Sequence, residues 1–350
     1  MKSAAALILL AGCAVIHPAE IRLTKATTPS LEFGPQPASP AASIIVSRDA
    51  YLMGTRVHLA VHVDDRESGL LTLESALAAL EQTEDELSNW RRSSEISMLN
   101  REPLHHRRAL AARLCLAFKD VWQWQRESGA AFDPAIGQLL EAWKVHGAGA
   151  IPSPATLAAA LASSGIAQFD FDPRGCTISR RSDVILDTGA FGKGEALDRA
   201  AAVLGTAPWI IDLGGQVSVG GNTPRGDGWT ILVAEPHRRD VPALRVRLTH
   251  GSLATSAGSE RDLLVGGKRV GHIIDPRTGY PASFDGSVTV WHERGLVADI
   301  LSTALYVMGP EPGLRWAEER RLAACYLIPK GSTLRVAATA AFHRLLSEQG

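Results

Sequence analysis

Apolar positions in the first half of the chain recur at helical spacing. Leu73, Leu77, Leu80 and Leu87 fall on one helix face, and Leu110, Leu114, Phe118, Val121 and Trp122 on the face of a second. A third helix is framed by its ends: Ser153 can cap free N–H groups, Pro154 suits the first helical position because it has no N–H to satisfy, and Gly165 lies beyond the stop. Ahead of these, Thr55 to Val63 alternates with the period of a strand. Past Cys176 the pattern turns to short β-branched runs: Val184 to Leu186, Trp209 to Leu213, Trp229 to Ala234, Leu244 to Leu248 and Ser287 to Trp291. Leu263 to Val265 and Arg269 to Ile274 flank Gly266-Gly267, a hairpin signal. Only two strong helices are expected in this half. One follows Lys193 and ends near Gly205; the other carries Val297, Ile300, Leu301, Ala304, Leu305 and Met308 and stops at Gly309-Pro310. Hairpins with few crossover helices predict an α+β fold with a mainly antiparallel sheet.

At 350 residues, 45% of them hydrophobic, the chain can bury a large core. Lys and Arg (36) nearly cancel Asp and Glu (37), and no basic stripe with interleaved aromatics is present, which argues against a nucleic-acid partner. Lys2 and the apolar run Ala4 to Leu10 are too short to span a membrane and read as an export signal. Leu10-Ala11-Gly12-Cys13 resembles the bacterial lipobox, whose Cys is lipidated; a clipped signal with an incidental Cys is the alternative. The expected organisation is a signal segment over 1–13, a flexible tether over 14–43 that holds Pro29, Pro35, Pro37 and Pro40, and a folded domain over 44–350. That places the protein on the periplasmic side of the cell envelope, membrane-anchored through Cys13. The three remaining cysteines, Cys115, Cys176 and Cys325, are odd in number and lack metal-ligand spacing, so they are expected as buried apolar residues rather than a disulfide framework.

Several segments carry chemistry. Gly271 to Pro281 crowds His272, Asp275, Arg277, Thr278 and Tyr280 around a rigid turn, either as a displayed site or as a corner in which Asp275 and Thr278 cap local backbone. Asp187 to Gly194 leads from an expected strand into a helix, where glycines allow close backbone approach and free N–H groups suit an anion. Lys193 is unfavourable at the positive helix end unless a negative group sits beside it. Asp299 and Thr303 stand four apart on one helix face and offer the hard oxygens Mg²⁺ accepts. Asp212-Leu213-Gly214-Gly215 suits a tight turn, and Trp90 and Phe132 are possible stacking surfaces.

Taken in order, these segments resemble the ApbE family, the FAD:protein FMN transferases. The matching pieces are Met53-Gly54-Thr55, Leu87 to Trp90 leading to Ser94 to Ser97 and Asn100, Ala131 to Pro134 with Gly137, Asp187 to Gly194, Asp212 to Gly215, Ala254 to Ser256, His272 to Gly279, Ser287 to Val290, and Ala298-Asp299 with Thr303. The resemblance implies that Met53, Trp90, Ala131, Phe132, Asp133, Asp187, Lys193 and Ile273 contact FAD. It implies that Mg²⁺ is held by the Ala190 carbonyl, Asp299 and Thr303. The implied reaction is attack by a threonine hydroxyl of an acceptor redox protein on the FMN-side phosphorus of FAD, with release of AMP. His272 is the expected base, because imidazole titrates near neutrality. FAD hydrolysis to FMN and AMP, or FAD binding without catalysis, are the alternatives. Thr188, Phe191 and Ala257 depart from the residues common in the family at those positions.

Overall fold

The computed structural model describes residues 14–16 and 43–346, apart from 222, 224, 225, 227, 259–262, 266, 267 and 332. The signal segment, nearly all of the tether and the Gly266-Gly267 pair lie outside these residues. Within the tether range, Ala14–Ile16 (β1) pairs antiparallel with the later strand β9 (Trp229–Ala234).

Eight strands build the central sheet, and all their pairings are antiparallel. They are β2 (Ile44–Leu52), β3 (Thr55–Val63), β7 (Trp209–Leu213), β8 (Gln216–Gly220), β11 (Gly251–Ala257), β14 (Ser287–His292), β15 (Ala323–Lys330) and β16 (Thr333–Ala338), in the order β16-β15-β14-β11-β8-β7-β3-β2. Alternation along each strand gives the sheet two apolar faces. On one face, Val57, Leu59, Val61, Ile211 and Leu213 pack against α1 (Arg66–Leu87) and α6 (Gly192–Leu204). Further along that face, Val288, Val290, Ala324 and Tyr326 meet α7 (Gly295–Met308) and α8 (Pro310–Glu319). The opposite face buries Val217, Val219, Leu253 and Cys325 under β9 (Trp229–Ala234), β10 (Pro242–Leu248) and α9 (Ala340–His343).

Helix α7 is apolar nearly all round because it lies between two cores. Leu296, Ile300 and Ala304 face a cluster that draws on α2 (Glu95–Arg101), α3 (Ala112–Glu127) and the small sheet β4 (Arg108–Ala109), β6 (Thr177–Arg180), β5 (Phe169–Asp172), while Val297, Leu301 and Leu305 face the main sheet. Two short helices, α4 (Gly137–Ala142) and α5 (Pro154–Ala162), form a satellite with Ile274, and β12 (Leu263–Val265) pairs with β13 (Lys268–Val270) as the predicted hairpin.

Four expectations need correction. Val184 to Leu186 forms no strand, because its backbone bonds to side chains: Asn100 Nδ2 and Asn89 Nδ2 donate to Leu186 O, and Leu186 N donates to Asn100 Oδ1. Helix α7 stops at Gly309 as expected, but Pro310 then starts α8, a further helix in a half where only two were expected, since a proline at the first helical position forfeits no bond. The second strand of the hairpin stops at Val270 instead of running to Ile274, which makes only an isolated bridge to Pro281.

The fourth concerns sulfur. Cys115 on α3 and Cys176 beside β6 form a disulfide across 61 residues of sequence, and only Cys325 matches the expected buried thiol, its pKa pushed up to about 12 by burial. Counting cysteines cannot reveal which pair the fold brings together. Closing a loop of that length is worth about 4 kcal/mol in the chain-entropy model. Cys115→Ala/Cys176→Ala is therefore expected to melt more than 5 °C below the oxidised wild type, and equal melting temperatures would count against a structural role for the bond.

Candidate active site

The N-termini of α6 and α7 meet, and their junction collects the charged residues that sequence singled out. Lys193 sits in the first turn of α6, and its Nζ lies 3.2 Å from Asp299 Oδ1 on α7. Asp299 Oδ2 accepts from Gly194 N at 3.0 Å, so this buried carboxylate caps the neighbouring helix and not its own. The negative group that Lys193 requires at the positive helix end is thus supplied by the chain itself. The N-terminus of α7 is held in turn by Asp198 of α6, whose carboxylate accepts from Gly295 N and Leu296 N. Burial raises the Asp198 pKa, opposed by those two amides. Thr303 stands one turn beyond Asp299, half-buried, and Ala190 lies in the turn that enters α6.

A rigid frame fixes that entering loop. Thr188 Oγ1 donates to Leu87 O and Asn89 Oδ1, and Thr188 N donates to Asn89 Oδ1 at 2.9 Å. Asn89 and Asn100 thereby bind the loop to the ends of α1 and α2. Two asparagines near helix ends are the one local signal for this work, and spacing alone does not assign it to them. Phe191 is fully buried in the core beneath the loop. The departures at Thr188 and Phe191 consequently change the loop's support; their side chains do not form its outer surface.

Among the remaining FAD-contact expectations, Met53 has a left-handed backbone (φ 51°) at the tight turn between β2 and β3, and its Cε lies 3.6 Å from where a Cβ on Gly192 would sit. It therefore borders the start of α6. Asp187 N donates to Pro134 O at 2.7 Å, which puts the Ala131 to Asp133 segment beside the loop. Ala131 and Phe132 are buried in the core, and the Asp133 carboxylate accepts from Ala135 N, Ile166 N and Gln125 Nε2, so those side chains serve the fold. Burial raises the pKa of Asp133 against those three donors. Trp90 is 72% exposed, and its ring meets the His146 ring nearly at right angles, centroids 4.9 Å apart.

The His272 turn is built as the corner reading predicted. Asp275 Oδ1 accepts from Arg277 N at 2.9 Å and the two side chains form a bidentate pair, while Thr278 Oγ1 accepts from Tyr280 N. Gly279, at φ 75°, lets the turn close against Leu139 and Leu157, and Trp143 Nε1 donates to Gly279 O at 2.8 Å. His272 is half-buried with its Nδ1 out of solvent, and Ile273, also half-buried, packs toward α7. A cavity of about 430 Å³ opens beside them, lined by Gly271, Trp143, Phe284 and Tyr306 among others. Tyr306 lies three residues beyond Thr303 and seven beyond Asp299 on α7, so the cavity lies along the helix stripe that carries both.

Asp212 forms the expected turn: Gly214 and Gly215 both have positive φ, and Gly215 N donates to Asp212 Oδ1. Its Oδ2 is buried with no hydrogen-bond partner among the described residues, and burial raises the pKa to about 7. A raised carboxyl pKa contributes stability that is present at low pH and lost as pH rises toward 7. Asp212→Asn keeps the turn without the charge, so its gain in melting temperature over wild type should grow from pH 5 to 7 and level off above. A gain independent of pH would refute this.

Similarity to known proteins extends over most of the chain. The chain is 26% identical to the FAD:protein FMN transferase of Haemophilus influenzae over 321 residues, covering 86% of this chain and 91% of that protein. It is 31% identical to that of Treponema pallidum over 265 residues, covering 68% and 72%. Its fold matches the Pseudomonas stutzeri flavinyl transferase ApbE, apo form, with a TM-score of 0.77 at 26% identity, covering 88% of this chain and 98% of that one. It also matches the ApbE protein of Thermotoga maritima with a TM-score of 0.79 at 26% identity, covering 87% and 100%. The ApbE family model spans residues 53–327, from the Met53 turn through the α6 and α7 junction into β15, and the chain belongs to the ApbE family.

Proposed function

We propose that this protein moves FMN from FAD to a threonine hydroxyl of an acceptor redox protein and releases AMP, outside the cytoplasm. The observation that carries the reading is the Lys193–Asp299 pair where the N-termini of α6 and α7 meet, which sets an ammonium beside a buried carboxylate, a cation and a hard oxygen suited to a pyrophosphate and its metal. The acceptor Oγ attacks the FMN-side phosphorus, and the bond from that phosphorus to the AMP oxygen breaks. His272 receives the hydroxyl proton, and AMP departs with the bridging oxygen. Lys193 stabilises the charge that develops on the phosphoryl oxygens.

Ala190 O, Asp299 and Thr303 fit Mg²⁺ by donor type. They are hard oxygens with a single carboxylate, and Asp299 already holds one cation, the Lys193 ammonium. Bound Mg²⁺ would neutralise charge on the pyrophosphate. Purified protein with FAD, Mg²⁺ and an acceptor domain should yield a fluorescent flavin band that survives denaturing electrophoresis, and EDTA should abolish it. Free FMN and AMP with unlabelled acceptor would instead assign hydrolysis. The Cys115–Cys176 bond supports export, because disulfides persist in oxidising compartments. No helix among the described residues is long and apolar enough to cross a membrane. The lipobox-like segment Leu10 to Cys13 carries the proposed anchor, and Cys13→Ala should release the protein from the membrane fraction.

A further inference from the structure

The loop from α4 to α5 joins the two walls of the site. Ala150 N donates to Trp143 O, and Gly147 N and Gly149 N both donate to Lys144 O, so the loop is a closed, hydrogen-bonded tip. At its base Trp143 is tied to Gly279 O in the His272 turn; at its tip His146 reaches the opposite wall. His146 Nε2 lies 3.5 Å from Asp187 Oδ2, and its ring stands nearly perpendicular to Trp90. The other Asp187 oxygen is held by Gly189 N at 2.8 Å.

We propose that His146 is a positioning residue for FAD, which sets the Trp90 ring and the Asp187 carboxylate relative to each other. The inference rests on the functional reading above, in which both of those residues contact FAD. Trp90 is mostly exposed and, among the described residues, makes one aromatic contact, with His146, so that contact restricts the ring to an orientation that leaves its remaining surface open to a planar ligand. Asp187 is fixed on one side by Gly189 N, and His146 supplies the second restraint. A residue that prearranges two ligand contacts without touching the reacting phosphorus should act on affinity more than on turnover.

The test uses the full-length protein with His146→Ala, His146→Gln and His146→Phe. FAD affinity is read by flavin fluorescence, and KM for FAD and kcat by acceptor labelling. His146→Ala should weaken FAD binding and raise KM by about tenfold, with kcat within about twofold and an unchanged melting temperature. Phe restores only the aromatic contact and Gln only the polar one, so each should recover part of the loss. In a Trp90→Phe background, the partial rescue by Phe should shrink. Wild-type FAD affinity in His146→Ala, or a fall in kcat at constant KM, would overturn the positioning role while leaving the flavin-transfer reading intact. Failure of the wild type to bind FAD would overturn both.

Discussion

Asp299→Asn is expected to lower the flavin-transfer rate by about a thousandfold, the size of effect seen when a group that organises charge in a reacting site is removed. Three consequences act together. The carboxylate that balances Lys193 disappears, leaving the ammonium beside the positive end of α6. The amide can turn its NH₂ toward Gly194 N, where the native oxygen accepts a bond at 3.0 Å, or turn its oxygen there and offer only that one acceptor to the site. The one carboxylate in the proposed Mg²⁺ donor set is also lost. Breaking a buried pair from one side costs about 3–5 kcal/mol when both charges are fully buried, but the Lys193 side chain is 29% exposed and solvent screens it, so the stability loss should be about 1–2 kcal/mol. Activity should therefore collapse at temperatures where the variant is fully folded. Lys193→Met should lose less rate than Asp299→Asn, because it leaves the carboxylate and both neighbouring oxygens in place. Measuring kcat, KM and melting temperature for both single variants and the double variant checks this; wild-type turnover in Asp299→Asn would remove the residue from the chemistry.

Much of the site was legible because its residues lie on elements with strong local signals. Lys193 and Asp299 sit on helices with clear periodicity and stops, and the glycines around them mark the turns. What spacing could not supply was pairing across the fold. Asp299 reads alone as a local cap or a ligand, and only the contact between α6 and α7 makes it the cap of another helix, 105 residues away in sequence. The same holds for Asn89 and Asn100, whose partners are backbone groups of Leu186 and Thr188, and for Cys115 with Cys176. The β-branched run at Val184 to Leu186 misled for a related reason. It has strand composition, but polar side chains satisfy its backbone where a neighbouring strand would otherwise stand. His146 lacked any local signal, since it lies in an irregular loop and gains meaning only from the Trp90 and Asp187 it meets.

Gly194→Ala should damage both the fold and the site. Glycines in this loop read from sequence as room for a ligand, yet at Gly194 the space is taken by another helix. A Cβ there would lie 2.2 Å from Gly295 O, 2.6 Å from Gly295 C and 2.7 Å from Leu296 Cα. All three are backbone atoms, so no rotamer change relieves the clash, and α6 must separate from α7. That separation pulls Gly194 N from Asp299, draws Gly295 N and Leu296 N away from Asp198, and shifts Lys193 relative to its partner. Overpacking of about 1–3 kcal/mol and loss of a helix cap worth about 1 kcal/mol predict a destabilisation of about 2–4 kcal/mol. A displacement near 1 Å at the reacting centre predicts about a hundredfold loss of rate in the protein that remains folded. Gly295→Ala meets its nearest atom, Gly194 O, at 2.8 Å, so it should follow the same course more mildly. Melting curves and initial rates for the two variants decide the point. Wild-type stability in Gly194→Ala, or a greater loss in Gly295→Ala, would show that the helices do not meet glycine to glycine, and Asp299 would then need another source for its buried partners.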